Sequence, residues 1–230
     1  MTEGKNEALQ DLYQDWFKCQ RCGLCKPKGA QRRNVVFGEG NPNAHIMIIG
    51  DAPDYDDDKS GIPLSGKSAS IVDEFLKMLG SNRDEVFITN LVACRPISEE
   101  DPSKLREPTS EELEACYERV SKIIDIVDPY VVLILGPLAL KVLANKTGLA
   151  KIARHPFLEH VDVATPGHCV TVTRPGYATY HPKYILEKWV GHGPPDELRY
   201  AYNAWQKAFV VSDMHARIYK GTSLPDRGEQ

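Results

Sequence analysis

Six cysteines carry the first chemical possibility in this chain of 230 residues. Cys19 and Cys22 stand two residues apart, a spacing that turns both sulfurs toward one metal or cluster. Cys94 follows an apolar run and Cys116 falls early in a helical pattern, so a fold can bring both to the same point. Spacing alone leaves zinc, an iron–sulfur cluster and no metal open, and Cys25 and Cys169 read as buried or incidental thiols. Gly61 to Ser68 spells G-x-x-x-x-G-K-S, the letters of a phosphate-binding P-loop. A P-loop leaves its strand directly, whereas ten residues separate Gly50 from Gly61, and Pro63 and Leu64 suit a cradle of amides poorly. The smaller expectation is that Gly66 to Ala69 opens a helix whose first amides hold one phosphate. Asp54 to Lys59 begins like a calcium loop and fails at the sixth position, where Lys59 replaces glycine. Its plain reading is a solvated acidic loop.

The elements that must position these residues follow from periodicity. His45–Gly50, Val86–Asn90 and Tyr130–Gly136 are continuous apolar runs, the mark of strands buried on both faces in a parallel sheet. Helical spacing runs over Asn6–Phe17, Ser68–Leu79 and Ser110–Val127, the last with Thr109 or Ser110 as N-cap. Pro137 opens a helix through Leu143, and Pro194 to about Met214 reads as a final one. Strand alternating with helix predicts a three-layer α/β/α domain around a mostly parallel sheet over residues 1–215, followed by a polar tail, 216–230. Ligands of such sheets bind beyond the strands' carboxyl ends, which singles out Asp51, Asn90 and Gly136.

Composition narrows the class further. The longest apolar run is six residues, Tyr130–Leu135, far below the roughly 20 needed to span a bilayer, and the polar N-terminus lacks a signal-peptide core. The expectation is a cytoplasmic monomer with no membrane partner. A net charge of −4 means that nucleic-acid binding would have to be local. Lys18 to Arg33 holds six basic residues and no acidic one, while Asp51 to Asp58 holds five aspartates in eight positions.

The flanks of the acidic run carry a resemblance. Gly50-Asp51-Ala52-Pro53-Asp54 through Gly61-Ile62-Pro63-Leu64-Ser65-Gly66 resembles, without a gap, the first motif of the iron–sulfur uracil-DNA glycosylases, roughly G-E-A-P-G-x-x-E-D-x-x-G-x-P-F-V-G. These form the family-4 branch of the uracil-DNA glycosylase superfamily. Ile88-Thr89-Asn90-Leu91-Val92-Ala93-Cys94-Arg95-Pro96 is similar to the family's I-T-N-x-V-x-C-R-P. Arg106 to Leu113 followed by Cys116, then Leu135-Gly136 and Thr179-Tyr180-His181-Pro182, match the remaining motifs, so five in order cover about 160 residues.

The resemblance implies cleavage of the N-glycosidic bond of uracil or a modified pyrimidine flipped out of single- or double-stranded DNA. Asn90 would read the base edge, His181 would donate to the base O2 as negative charge collects there, and Asp51 would orient water or offset charge on the sugar. Ala52, Pro53, Asp57 and Leu64 would surround the base. Arg32, Arg33, Ser65, Lys67, Ser68 and Lys183 are candidate DNA contacts. Cys19, Cys22, Cys94 and Cys116 would hold a [4Fe–4S] cluster.

Departures from the pattern matter. Asp51 stands for the usual glutamate, Asp54 for a glycine, Asp57 for the glutamate near C5, and Leu64 for the stacking aromatic, a loss of about 1–3 kcal/mol of stacking. A shorter wall and smaller floor predict a pocket that admits bases larger than uracil. The alternative is a catalytically silent, DNA-binding or replication-associated member. Pro96 to Arg106 is longer than is typical, and Lys183 to Gly193 reads as a loop facing DNA.

Overall fold

The computed structural model describes residues 2–25, 34–98, 100–101, 103–156, 161–166, 171–189 and 194–219. Lys26, Lys28, Arg32, Arg33 and Cys169 lie outside them, as does everything after Tyr219. Six strands form one sheet: β1 (Glu39–Gly40), β2 (Ile46–Gly50), β3 (Phe87–Asn90), β4 (Val131–Leu135), β5 (Val161–Pro166) and β6 (Thr171–Thr179), in the order β1-β3-β2-β4-β6-β5. The inner four run parallel, and β1 and β5 pair antiparallel at the two edges.

Alternation along the strands divides the core into two layers. Met47, Ile49, Val132 and Ile134 face one side, where α1 (Thr2–Trp16), α4 (Ser110–Val127), α5 (Pro137–Ala144) and α6 (Leu149–Arg154) pack. Ile46, Ile48, Leu133 and Leu135 face the other, against α3 (Ala69–Met78), α7 (Pro182–Lys188) and α8 (Asp196–Tyr219). The short helix α2 (Tyr55–Ser60) lies between β2 and α3 in the chain. This is the three-layer arrangement expected, and no described helix is long and apolar enough to cross a membrane.

The structure corrects several readings. The strand β6 was hidden because Arg174, Pro175 and Gly176 look like breakers. There Pro175 sits opposite Asp162 of the edge strand, Gly176 opposite Val161, and Arg174 bonds Asp128 at 2.9 Å. Residues 182–188 form α7 rather than a loop, started by Pro182 at its first position. The final helix continues past Met214 to Tyr219. Asp57 and Asp58 are buried, so the acidic run is no solvated loop. Gly61, the first letter of the P-loop match, caps α2 in the left-handed conformation at φ +79°.

The helix α4 starts with a reciprocal cap. Thr109 Oγ1 accepts from the Glu112 amide at 3.3 Å, and Glu112 Oε2 accepts from the Thr109 amide at 2.8 Å. Arg106 grips the same carboxylate with both terminal nitrogens, at 2.8 and 2.6 Å. Burial pushes the Glu112 carboxyl up, and the Arg106 fork and Thr109 outweigh it, leaving it below its ordinary range. Thr109→Ala should cost about 1 kcal/mol of stability, read as a lower urea midpoint with an unchanged slope.

Candidate active site and cysteine cleft

At the carboxyl ends of the strands the register places Gly50 beside Asn90. A Cβ on Gly50 would stand 2.5 Å from Asn90 Oδ1 and 3.4 Å from His181 Nε2, so the bare glycine lets both side chains converge on one point. Asn90 is fully enclosed, and neither its Oδ1 nor its Nδ2 has a hydrogen-bond partner among the described residues. A buried carboxamide unpaired on both atoms is costly to the fold, and Asn90 stands beside His181 without itself lining the cleft that His181 shares with Asp51.

His181 is the N-cap of α7, and its Nδ1 accepts from the Lys183 amide at 3.2 Å. An amide can only donate, so Nδ1 is bare and the neutral ring carries its proton on Nε2. Desolvation, helped by the Lys183 charge and opposed by Asp54, lowers this imidazole to about 4. At neutral pH His181 is therefore an uncharged Nε2–H donor beside Asn90.

Asp51 follows β2 directly and is held by the start of α5, where its Oδ1 accepts from the Ala139 amide at 2.8 Å. Gly136, at φ +109°, makes room: a Cβ there would lie 2.6 Å from Asp51 Oδ2. Burial raises the Asp51 carboxyl to about 6, with the Ala139 amide opposing and Glu107 adding to the rise. Among the described hydrogen bonds, none reaches Oδ2.

Asp51, Ala52, His181 and Lys183 line one cleft of about 620 Å³, a size that holds a whole small molecule. Its other walls include Arg106, Glu107, Tyr180, Tyr184 and Leu138. Sequence reasoning gave these no role, although Arg106 and Glu107 stood inside a quoted motif and Tyr180 next to His181. Tyr180 and Tyr184 stack with ring centroids 5.5 Å apart, one helical turn linking them. The long segment after Cys94 folds back on itself, with Ser98 bonded to the Lys104 carbonyl at 3.0 Å and the Arg106 amide to the Pro96 carbonyl at 3.2 Å. It thereby brings Pro96 and Leu105 onto the cleft wall.

Other predicted residues stand behind this surface. Asp57 is tied down: Oδ1 accepts from the Ser65 amide at 2.8 Å and the Ser65 hydroxyl at 3.1 Å, while Oδ2 accepts from the Asp54 amide at 3.3 Å. Asp54 in turn caps α2, its Oδ1 accepting from the Asp56 and Asp57 amides at 2.9 and 3.0 Å, which explains an aspartate there. Leu64, at φ +53°, is enclosed in the core that includes Ile71 and Phe75. Pro53 is buried, Lys67 is exposed, and Ser68 precedes α3 without a side-chain cap bond.

A second, narrower cleft gathers the cysteines. Cys19, Cys22, Cys94 and Cys116 line it together with Trp16 and Ala93, and so does Cys25, which sequence reasoning had set aside. The 3-10 turn Gly23–Cys25 accounts for that placement. No disulfide links the described cysteines. The Ala93 amide donates to Cys116 Sγ at 3.4 Å. Burial raises the Cys22 thiol, with Cys116, Glu112 and Cys19 adding to the rise and the Leu24 amide opposing. Among the described residues no group of three Cys, His, Asp or Glu side chains is arranged to hold a single metal ion.

Comparison with known proteins agrees with this layout. The chain is 35% identical over 143 residues to the Type-4 uracil-DNA glycosylase of Sulfurisphaera tokodaii, covering 62% of this chain and 60% of that one. To the Archaeoglobus fulgidus protein of the same name it is 34% identical over 139 residues, 60% of this chain and 65% of that one. The first two relatives are thus matched over less than two thirds of their length. The Thermotoga maritima Type-4 uracil-DNA glycosylase is 32% identical over 182 residues, 78% of this chain and 84% of that one. The family described as Uracil DNA glycosylase superfamily matches residues 37–207, a span that encloses every strand of the sheet together with Asp51, Asn90 and His181, and the chain belongs to that superfamily.

Proposed function

We propose that the chain is a DNA glycosylase that hydrolyses the N-glycosidic bond of uracil flipped out of DNA. The observation that carries this reading is the enclosed Asn90 carboxamide, open on both atoms beside the Nε2–H of a neutral His181. The relatives' printed name supplies the substrate class. Uracil presents an N3–H donor next to an O4 acceptor, which one carboxamide satisfies with its oxygen and nitrogen at once; cytosine presents the reverse order. As the glycosidic bond breaks, its electron pair stays on the base and charge builds on O2. A donor there stabilises the leaving anion in the transition state more than the bound substrate. His181 provides it without needing a positive charge. Asp51, on the cleft wall, orients the attacking water and offsets the positive charge on the sugar.

Ala52 beside Asp51, with Pro53, Asp57 and Leu64 behind it, frames the base pocket. DNA phosphates meet Lys67 and Lys183 and the turn from Ser65 to Ser68, where α3 begins; Arg32 and Arg33, outside the described residues, are further candidate contacts. Cys19, Cys22, Cys94 and Cys116 hold a [4Fe–4S] cluster. Four thiols on one cleft are the donor set such a cluster takes. The cluster would take one thiolate from each of these residues, whereas no three described side chains are arranged about a single metal ion. When bound, it would tie the turn after α1, through Cys19 and Cys22, to the segment after β3 at Cys94 and to α4 at Cys116.

The defining assay incubates purified protein with single-stranded oligonucleotides carrying uracil, hydroxymethyluracil, hypoxanthine or thymine and scores alkali-labile abasic sites. Uracil release is expected; DNA binding without release of any base overturns the reading in favour of a silent binder. Asn90→Ala and His181→Ala should each lower kcat by at least about 100-fold while leaving affinity for undamaged DNA unchanged in a filter-binding titration.

The pH profile follows from the Asp51 carboxyl near 6. Asp51 works ionised, so kcat should climb about tenfold per pH unit below 6 and level off above about 7. His181, near 4, stays neutral throughout and adds no limb in that range. Asp51→Asn should lower kcat and flatten the rise.

Aerobic and anaerobic preparations should contain iron and acid-labile sulfide. Stoichiometric zinc without iron in anaerobically purified protein would sink the cluster.

A further inference from the structure

The helix α4 carries a residue that the proposed mechanism leaves unused. Arg119 is fully buried, and among the described residues no carboxylate pairs with it. Its Nη1 donates to the Phe37 carbonyl at 2.6 Å and to Thr89 Oγ1 at 3.0 Å. Its Nη2 donates to the carbonyl of Asn90 and, at 3.3 Å, to that of Leu91. Thr89 Oγ1 completes the circuit by donating to the same Phe37 carbonyl at 2.8 Å. A guanidinium taken wholly out of water is expensive, and here it is spent on backbone oxygens around one residue, Asn90.

Cys116 lies three residues before Arg119, on the same face of the helix, and receives the Ala93 amide. One face of α4 therefore grips the segment Asn90–Cys94 at two points. At one end of that segment is the carboxamide proposed to read the base, and at the other is a cysteine of the second cleft.

We propose that Arg119 is a positioning residue that fixes the peptide of Asn90 and thereby makes uracil discrimination depend on how α4 is anchored at the cysteine cleft. The proposal rests on the glycosylase reading above. Among the described residues Asn90 has no side-chain partner, so its amide is aimed by its backbone, and the backbone is held by the fork of Arg119. A lysine keeps the charge and, with three donors on one nitrogen, cannot span three carbonyls and a hydroxyl at once. Anchoring α4 through Cys116 sets where that fork sits.

The experiment compares the iron-loaded wild type with Arg119→Lys and, as a milder probe of the same circuit, Thr89→Val. Three quantities are read: iron content, kcat and KM on a uracil oligonucleotide, and anisotropy-measured affinity for an oligonucleotide carrying non-cleavable 2′-fluoro-2′-deoxyuridine relative to its thymidine counterpart. Arg119→Lys should keep its iron and its affinity for the thymidine strand. It should lose 10- to 100-fold in kcat and most of its preference for the fluorinated uridine, in the manner of residues that orient a primary contact. Thr89→Val should lose severalfold in kcat, and the double variant should lose no more than Arg119→Lys alone, because both act through one circuit. Wild type stripped of its cluster should still bind the thymidine strand and show the same loss of preference.

Unchanged preference and kcat in iron-loaded Arg119→Lys overturn the proposal, as do additive losses in the double variant. Should Arg119→Lys fail to fold, the preference and kcat of Thr89→Val decide, and wild-type values there count against it. A wild type that releases no uracil overturns the glycosylase reading itself, which separates the two failures.

Discussion

The register of the central strands is the constraint on which the site depends. Gly50 lies opposite Asn90, and Ile49 opposite Ile134, in a parallel arrangement buried on both faces. Side chains alternate along a strand, so a slip of one residue would turn Asn90 away from His181 and bring Thr89 or Leu91 into its place. The slip is prevented by packing. Ile46, Ile48 and Ile88 face one layer of helices and Met47, Ile49 and Phe87 the other, and every one of them would exchange faces. The active groups therefore sit where they do because large apolar side chains far from them have only one way to fit.

Around that fixed point the molecule uses its buried charges as fasteners. Asp57 and Asp58, read from sequence as part of an acidic stretch, bind backbone instead of solvent. Asp57 secures the Ser65 turn and the start of α2, and Asp58 accepts from the Asn34 amide at 3.2 Å. Arg174 plays the same part at the opposite end of the sheet, joining β6 to Asp128 at the C-cap of α4. In each case a charge inside the protein is tolerable because it closes several open backbone or side-chain bonds at once. Asp51 accepts from one described donor, the Ala139 amide, and burial raises its carboxyl.

Much of this was legible in the sequence, and the reasons are specific. The strands β2, β3 and β4 announced themselves as unbroken apolar runs, and of the two caps expected for α4, Thr109 or Ser110, the structure uses Thr109. Asp51, Asn90 and Gly136 followed from the rule about strand ends. What escaped was determined by contacts between distant segments. The strand β6 contains Pro175 and Gly176, which local propensity reads as a break. Arg119 hid within a helix whose neighbours Cys116, Val120 and Ile123 are all buried, and a charged letter there suggests a rim position unless its acceptors are known. Cys25 was read as a buried or incidental thiol although it repeats the two-residue gap after Cys22, and the 3-10 turn places its residue on the same cleft.

The cap of α4 couples two parts of the molecule mechanically. Glu112 is at once the third residue of the helix, the acceptor of the Thr109 amide and the seat of the Arg106 fork. Arg106, Glu107 and Pro108 form a stretch of the cleft wall, so the wall and the helix start are one hinge-free piece. Swinging that wall outward stretches the Arg106 fork and the Thr109 cap bond together, and the first turn of α4 unwinds with it. Elsewhere on the cleft, Tyr184 and Lys183 belong to the seven-residue helix α7. Opening the cleft at Arg106 therefore comes at the cost of the start of α4, the helix that carries Cys116.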